Sequence, residues 1–332
     1  MAKCFERGKH GMEENLLSVQ GLRMYIDTVD GVIKAVDGVD LEINENEIVG
    51  LVGESGCGKS MTSLSIMRLL PSGSRIVGGR VRYNGRDLLQ LSETEMNEIR
   101  GKEISFVFQN PSTFLNPVLR IGDQIAESIV IHQNKPKAEA KEDVIRVLKR
   151  VGIPSPEVLY GYYPHQMSGG MRQRVMIAMA LSCKPSLLIA DECTTELDVT
   201  MQLQILELLK NSVSGGGFSL LLITHDLGVV AYMCKRIYVM YAGKIVESAK
   251  SQDLFANPRH PYTVGLLEST LSIEEFKERL VSIEGSVADL MNPPSGCRFH
   301  PRCPRVMDGC RESDPKPTEF GQGHVVSCLL YN

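Results

Sequence analysis

The stretch "EIVGLVGESGCGKS", residues 47–60, constrains the chain more than any other. Ile48–Val52 is a short unbroken apolar run, the pattern of a strand buried on both faces. It leads directly into Gly53-Glu54-Ser55-Gly56-Cys57-Gly58-Lys59-Ser60, which fits G-x-x-x-x-G-K-S. The glycines permit a tight loop whose backbone N–H groups turn inward onto phosphate oxygens. Lys59 reaches the terminal phosphates and the Ser60 hydroxyl reaches a Mg²⁺ ion. The segment "KSMTSLSIMRLL", which carries Met61, reads as a helix whose positive N-terminal end adds to the cradle.

That framework orders the neighbouring segments. Upstream, "LLSVQGLRMYIDTVDGVIKAVDGVDLEI" alternates apolar and polar residues, with turn signals at Asp30-Gly31 and Asp37-Gly38. It predicts an antiparallel β-element ahead of the cradle. Tyr25 within it is a candidate to stack on a nucleotide base, or a strand aromatic packing in a small sheet. "LLIADE" ends a buried strand in two carboxylates, Asp191 and Glu192. Alone, such a pair is most often a solvated loop start. Behind a phosphate loop, Asp191 is placed to hold Mg²⁺ and Glu192 to act as general base on the attacking water. Gln109 in "ISFVFQNP" and His225 in "FSLLLITHD" likewise follow apolar runs, where they could touch Mg²⁺, water or the γ-phosphate. In "HQMSGGMRQRV", Ser168 can cap a helix beginning at Gly169-Gly170, leaving N–H groups for a second anion. One nucleotide needs one cradle, so a second makes sense if it serves a nucleotide held by another subunit.

The chain has 332 residues, enough for one large domain and a smaller one. A net charge of -4 and a pI of about 6.0 argue against a dedicated nucleic-acid binder. No apolar run approaches the roughly 18–20 residues of a membrane-spanning helix. The opening "MAKCFERGKHGMEEN" lacks an apolar signal core, so the expected compartment is the cytosol. There, nine cysteines are expected as thiols or metal ligands rather than disulfides. Cys297, Cys303, Cys310 and Cys328 crowd a Pro- and Gly-rich tail that cannot build much apolar core, and a metal centre could staple it. Four thiolates suit Zn²⁺ or an iron–sulfur cluster, though gaps of five and six residues sit poorly with the close pairs usual for zinc. The other cysteines, Cys4, Cys57, Cys183, Cys193 and Cys234, have no partner pattern and read as structural.

Together "GESGCGKS", "FQNP", "MSGGMRQRV", "LLIADE", "ELD" and "ITHD" resemble the ATP-binding cassette (ABC) family in order and spacing, from about residue 16 onward. "NPRHPYTVGLLESTL" and "PPSGCRFHPRCP" look like the ATPase subunits of oligopeptide and dipeptide importers. The resemblance implies a RecA-like P-loop α/β core with antiparallel β and helical subdomains, plus a small Cys-rich C-terminal extension. It implies an ATPase domain over 16–258, a helical subdomain at about 112–182, and the extension over 259–332. Gly53–Ser60 would be the Walker A loop. Gln109 would sense Mg²⁺ and the membrane partner. Ser168, Gly169 and Gly170 would be the signature that closes on a partner's ATP. Asp191 and Glu192 would be the Walker B pair, Asp198 the D-loop residue at the dimer seam, His225 the switch histidine, and Tyr25 the base-stacking aromatic. The segment "NPVLRIGDQIAESIVIHQ" would line the groove for a coupling helix.

The implied cofactors are ATP and Mg²⁺, with a [4Fe–4S] cluster on the four tail cysteines, zinc being the alternative. The implied partners are a second ATPase subunit in a heterodimer, two transmembrane permease subunits and an extracytoplasmic solute-binding protein. The implied place is the cytoplasmic face of the membrane. Importers of oligosaccharides and nickel share these motifs, so peptide is the expected solute rather than a necessary one. Non-transport cassettes usually carry a long coiled coil or two cassettes per chain, and this sequence has neither. Three positions depart from the family pattern. Cys193 stands where proline is usual, Glu196 where a small residue is usual, and Asn46 where glycine is common.

Overall fold

The structure, a computed structural model, describes residues 15–194, 198–271, 283–321 and 323–332. Two sheets organise it. The first is antiparallel, in the order β2-β1-β4-β5, from β1 (Leu17–Thr28), β2 (Gly31–Ile43), β4 (Ser74–Tyr83) and β5 (Arg86–Asp87). The second is built on β3 (Ile48–Val52), β6 (Ile104–Val107), β7 (Leu187–Asp191), β8 (Ser219–Thr224) and β9 (Arg236–Tyr241), which pair in parallel. β10 (Lys244–Lys250), β12 (His324–Ser327) and β11 (Pro317–Phe320) continue it antiparallel, giving the order β11-β12-β10-β9-β3-β8-β7-β6.

The apolar runs read from the sequence become central strands with helices or sheet on both faces. Period-two pleating splits their side chains between two cores. Val49, Leu51, Leu187, Ile189, Leu221 and Ile223 face the antiparallel sheet. Val52, Leu188, Ala190, Leu220 and Leu222 face the helices. α1 (Lys59–Ile66) follows β3, and α2 (Glu93–Ile99) precedes β6. Between β6 and β7 lie α3 (Pro111–Phe114), α4 (Ile121–Gln133), α5 (Lys137–Arg150), α6 (Pro156–Leu159) and α7 (Gly169–Leu181). α8 (Val199–Ser214), α9 (Leu227–Met233), α10 (Ser251–Ala256) and α11 (Pro261–Leu271) complete the set among the described residues. None is long and apolar enough to cross a membrane.

Several expectations change. Asp37-Gly38 is not a turn: β2 runs through it, and the register with β1 shifts between Leu22↔Val39 and Arg23↔Asp37. Gly38 takes φ 87, so the local chemistry that suggested a turn makes a bulge instead. The helix after the loop stops at Ile66, four residues early. Arg68 turns left-handed at φ 53, with its guanidinium held by the carbonyls of Leu88 (3.1 Å) and Leu91 (2.6 Å). Asn46 takes φ 56, the conformation in which a glycine would also be comfortable. The tail, expected to build little apolar core, joins an existing one. Phe299, Val326 and Cys297 are buried, and Phe299 packs edge-on to Tyr241 of β9. The segment builds no separate core because it inserts into the existing one. Glu196, the altered D-loop position, lies outside the described residues.

Candidate functional site

Parallel pairing explains why distant motifs meet. Val107 pairs with Ala190, and Asp191 with Ile223, so β6, β7 and β8 end at one edge of the sheet. Residues just past those ends, Gln109, Glu192 and His225, therefore share a crevice beside the loop that follows β3.

The loop is shaped by close backbone approach. A Cβ at Gly53 (φ 155) would lie 2.2 Å from the Met240 carbonyl oxygen, and one at Gly58 (φ 110) would lie 2.2 Å from that of Ala35. No other residue fits either place. Ser55 and Gly56 are exposed at the crest, while Cys57, Gly58 and Lys59 are buried beneath it and Ser60 and Met61 are half-buried. Lys59 Nζ donates to the carbonyls of Gly53 (2.7 Å) and Glu54 (3.0 Å). Burial pushes the Cys57 thiol up, partly opposed by Lys59.

Asp191 closes the floor. Burial raises its pKa, and a hydrogen bond from the Ser60 side chain works against that rise. Its Oδ1 is buried without a hydrogen-bond partner. A buried carboxylate oxygen left unsatisfied beside a serine hydroxyl is a donor set that suits a hard cation such as Mg²⁺.

Glu192 is held at both oxygens. Gln109 Nε2 donates to Oε2 at 2.7 Å, and His225 Nδ1 lies 3.1 Å from Oε1. Its backbone is left-handed (φ 47), and its N–H donates to the Ile223 carbonyl at 2.9 Å. Such a conformation in a non-glycine residue is a mark of a constrained site. The next residue, Cys193, is fully buried, and its thiol is pushed up to about 12 by that burial. Its carbonyl accepts from Gln173 Nε2 of α7, so the helix that starts at Ser168 is tied to the carboxylate segment.

The remaining predicted residues are held by local bonds. Ser168 caps α7, accepting from the Met171 N–H at 3.3 Å, and a Cβ at Gly169 would meet nothing within 4 Å. Asp198 caps α8 in the same way, accepting from the Met201 N–H at 3.0 Å. Tyr25 is half-buried, and its hydroxyl donates to Asp37 Oδ1 at 2.9 Å.

The four tail cysteines occupy one region. Cys297 N–H donates to the Cys310 carbonyl at 2.9 Å, and no disulfide joins any of the four. Burial pushes the Cys297 thiol up to about 11, and its three sister thiols push it further the same way. Among the described residues, however, no group of three or more His, Cys, Asp or Glu side chains converges to hold a metal ion.

Sequence reasoning missed Tyr262, Arg298, Arg302 and Gln173. Tyr262 Oη accepts from the Glu54 N–H at 2.8 Å, across 208 residues. No local pattern predicts a contact of that span. The hint available was the arginines' place immediately beside Cys297 and Cys303.

Comparison with known proteins fits this geometry. The ABC transporter family matches residues 36–195, and the family described as oligopeptide/dipeptide transporter, C-terminal region, matches residues 246–310. The oligopeptide transport ATP-binding protein AppD of Bacillus subtilis is 50% identical over 317 residues, spanning 95% of this chain and 97% of that protein. OppD of Escherichia coli is 45% identical over 314 residues, spanning 95% and 93%. A dimeric post-hydrolysis structure of the ATP-binding cassette MJ0796 bound to ADP and Pi matches with a TM-score of 0.65 at 27% identity, over 71% of this chain and 98% of that one. The chain belongs to the ATP-binding cassette ATPases of membrane transporters, in the branch that carries the oligopeptide/dipeptide transporter C-terminal region.

Proposed function

We propose that this chain hydrolyses ATP to drive a membrane importer of di- or oligopeptides. The observation that carries the chemistry is the Glu192 carboxylate, held between Gln109 and His225 beside the buried Asp191. The names of relatives such as AppD, DppD and OppD support peptide as the solute.

The reaction is in-line attack of water on the γ-phosphate. Backbone N–H groups of the Gly53–Ser60 loop, other than that of Glu54, which Tyr262 holds, bind the phosphates, with Met61 following on the helix and Lys59 offsetting their charge. Mg²⁺ arriving with ATP would be held by Ser60, Gln109 and Asp191, and supplies positive charge at the phosphate oxygens. Glu192 takes the proton of the attacking water, and His225 orients that carboxylate and faces the γ-phosphate. Tyr25 stacks on the base. Ser168, Gly169 and Gly170 close on the ATP of a second cassette, with Asp198 at the seam.

The division into a 16–258 ATPase domain with a 112–182 helical subdomain, and a 259–332 extension, belongs to the same reading. So do the heterodimer with a different cassette, two permease subunits, a solute-binding protein and the cytoplasmic face. Exposed Phe114, Val118 and Leu119 before α4 support a permease contact there. The [4Fe–4S] cluster, or zinc, on Cys297, Cys303, Cys310 and Cys328 is supported by four thiols in one region and opposed by their failure to converge. Iron, acid-labile sulfide and zinc counted on anaerobically purified protein decide it: four iron and four sulfide per chain establish the cluster, and zinc or no metal removes it.

The test of the whole is reconstitution with the permease subunits and binding protein in vesicles. ATP hydrolysis stimulated by di- and oligopeptides, with uptake of labelled peptide, is the expected result. Stimulation by an oligosaccharide or by nickel instead overturns the choice of solute.

A further inference from the structure

The extension grips the nucleotide site at two points with one short turn. Residues 297–303 read Cys-Arg-Phe-His-Pro-Arg-Cys, an arginine beside each of two cysteines. Arg302, its side chain 4% exposed, makes a two-pronged ion pair with Glu54, Nη1 to Oε2 at 2.7 Å and Nη2 to Oε1 at 3.0 Å. Glu54 is the second residue of the phosphate loop. Its N–H is already held by Tyr262 Oη, and its carbonyl accepts Lys59 Nζ. Three of its polar groups are therefore fixed from the extension side, and the fourth sets where Lys59 sits. At the other end of the turn, Arg298 Nη2 pairs with Asp37 Oδ2, while Asp37 Oδ1 accepts the Tyr25 hydroxyl. Arg298 Nη1 also donates to the Ala242 carbonyl. The adjacent Gly243 is bonded to the Cys57 carbonyl (2.8 Å) and to the Asp37 N–H (2.8 Å).

We propose that Arg302 and Arg298 are positioning residues for the ATPase reaction. Arg302 sets the shape of the phosphate loop through Glu54, and Arg298 sets the rim at Tyr25 through Asp37. The extension then determines how tightly this chain holds ATP. A bidentate guanidinium–carboxylate pair fixes orientation as well as charge, which a lysine does not reproduce. The proposal rests on the reading of Gly53–Ser60 as the nucleotide loop.

The experiment uses the full chain and MgATP, measuring equilibrium binding and steady-state hydrolysis. Arg302→Met and Glu54→Gln are each expected to weaken MgATP binding five- to twenty-fold, raising KM in proportion. Turnover of Arg302→Met at saturating ATP should change less than two-fold, because Glu192, Gln109 and His225 are untouched. Arg302→Lys should fall between wild type and Arg302→Met. The double variant should be no weaker than the worse single one, since both remove the same pair. Unchanged affinity in Glu54→Gln overturns the proposal, even where Arg302→Met does not fold. Additive losses, or a fall in turnover with KM unchanged, also overturn it. Lys59→Ala separates the two levels: if it binds MgATP like wild type, the loop reading has failed rather than the role of the arginines.

Discussion

Two helix starts in this chain present backbone N–H groups to solvent chemistry, at Gly58–Lys59 and at Ser168–Gly169, and their surroundings differ. The first is walled. Ala35 of β2, Met240 of β9, and Tyr262 and Arg302 downstream all press on or bond to the loop. The second is bare. Ser168 is bonded locally to Met171, and the space above Gly169 is open. A site enclosed by its own chain is preorganised by it. One left open takes its missing wall from elsewhere, which is what the proposed pairing of two cassettes requires.

The largest expected effect tests the chemistry that both starts would serve. Glu192→Gln keeps Gln109 and His225 in reach while removing the base, so turnover should drop about 10²–10⁴-fold. MgATP affinity should stay within two-fold of wild type. Near-normal turnover would move the base elsewhere and leave the crevice as a binding feature only.

The walls themselves are tested by a matched pair of glycine changes. Gly58→Ala drives a methyl into a backbone carbonyl at positive φ, and should destabilise the chain by at least about 3 kcal/mol and abolish MgATP binding. Gly169→Ala enters open space at a helix start and should shift stability by no more than about 1 kcal/mol. Equal losses in denaturant melts would erase the distinction.

Acid should destabilise the fold through a histidine behind the walled side. His260 accepts the Tyr262 N–H at 3.1 Å and is buried, which pushes its pKa down to about 3. Unfolded, it takes a proton near pH 6.5, so below that pH the unfolded state gains protons that the native state refuses. Its contribution falls by about 1.4 kcal/mol per pH unit from pH 6.5 toward 3. At pH 5 the wild type should have lost about 2 kcal/mol more than a His260→Asn variant over the same interval. Parallel pH profiles of the two proteins would rule this out. The smallest effect belongs to the bare side: Ser168→Ala removes one cap and should cost about 1 kcal/mol, with the isolated chain's MgATP affinity unchanged.

What could be read in advance follows the same divide. The strand, loop and helix from Ile48 to Ile66 were legible because burial, glycine and lysine act within a few residues. Gln109, Asp191, Glu192 and His225 were legible as ends of apolar runs, and parallel pairing then had only to align them. The Asp37-Gly38 bulge was not, since the same two residues that close a hairpin also bend a strand. The packing of the extension was legible only in part. Its glycines and prolines rightly excluded a core of its own. Nothing local revealed that Phe299 would pack edge-on to Tyr241 and tilted against Tyr262, or that β12 would pair with β10.

The Glu54–Arg302 and Asp37–Arg298 pairs span 248 and 261 residues. At the pace of translation, the phosphate loop leaves the ribosome roughly ten seconds or more before the residues that clamp it. During that interval the strands from β1 to β10 can form while the loop lacks its Arg302 tether and β2 lacks its Arg298 pair. Completion of the wall around this loop is thus a late event in the life of the nascent chain.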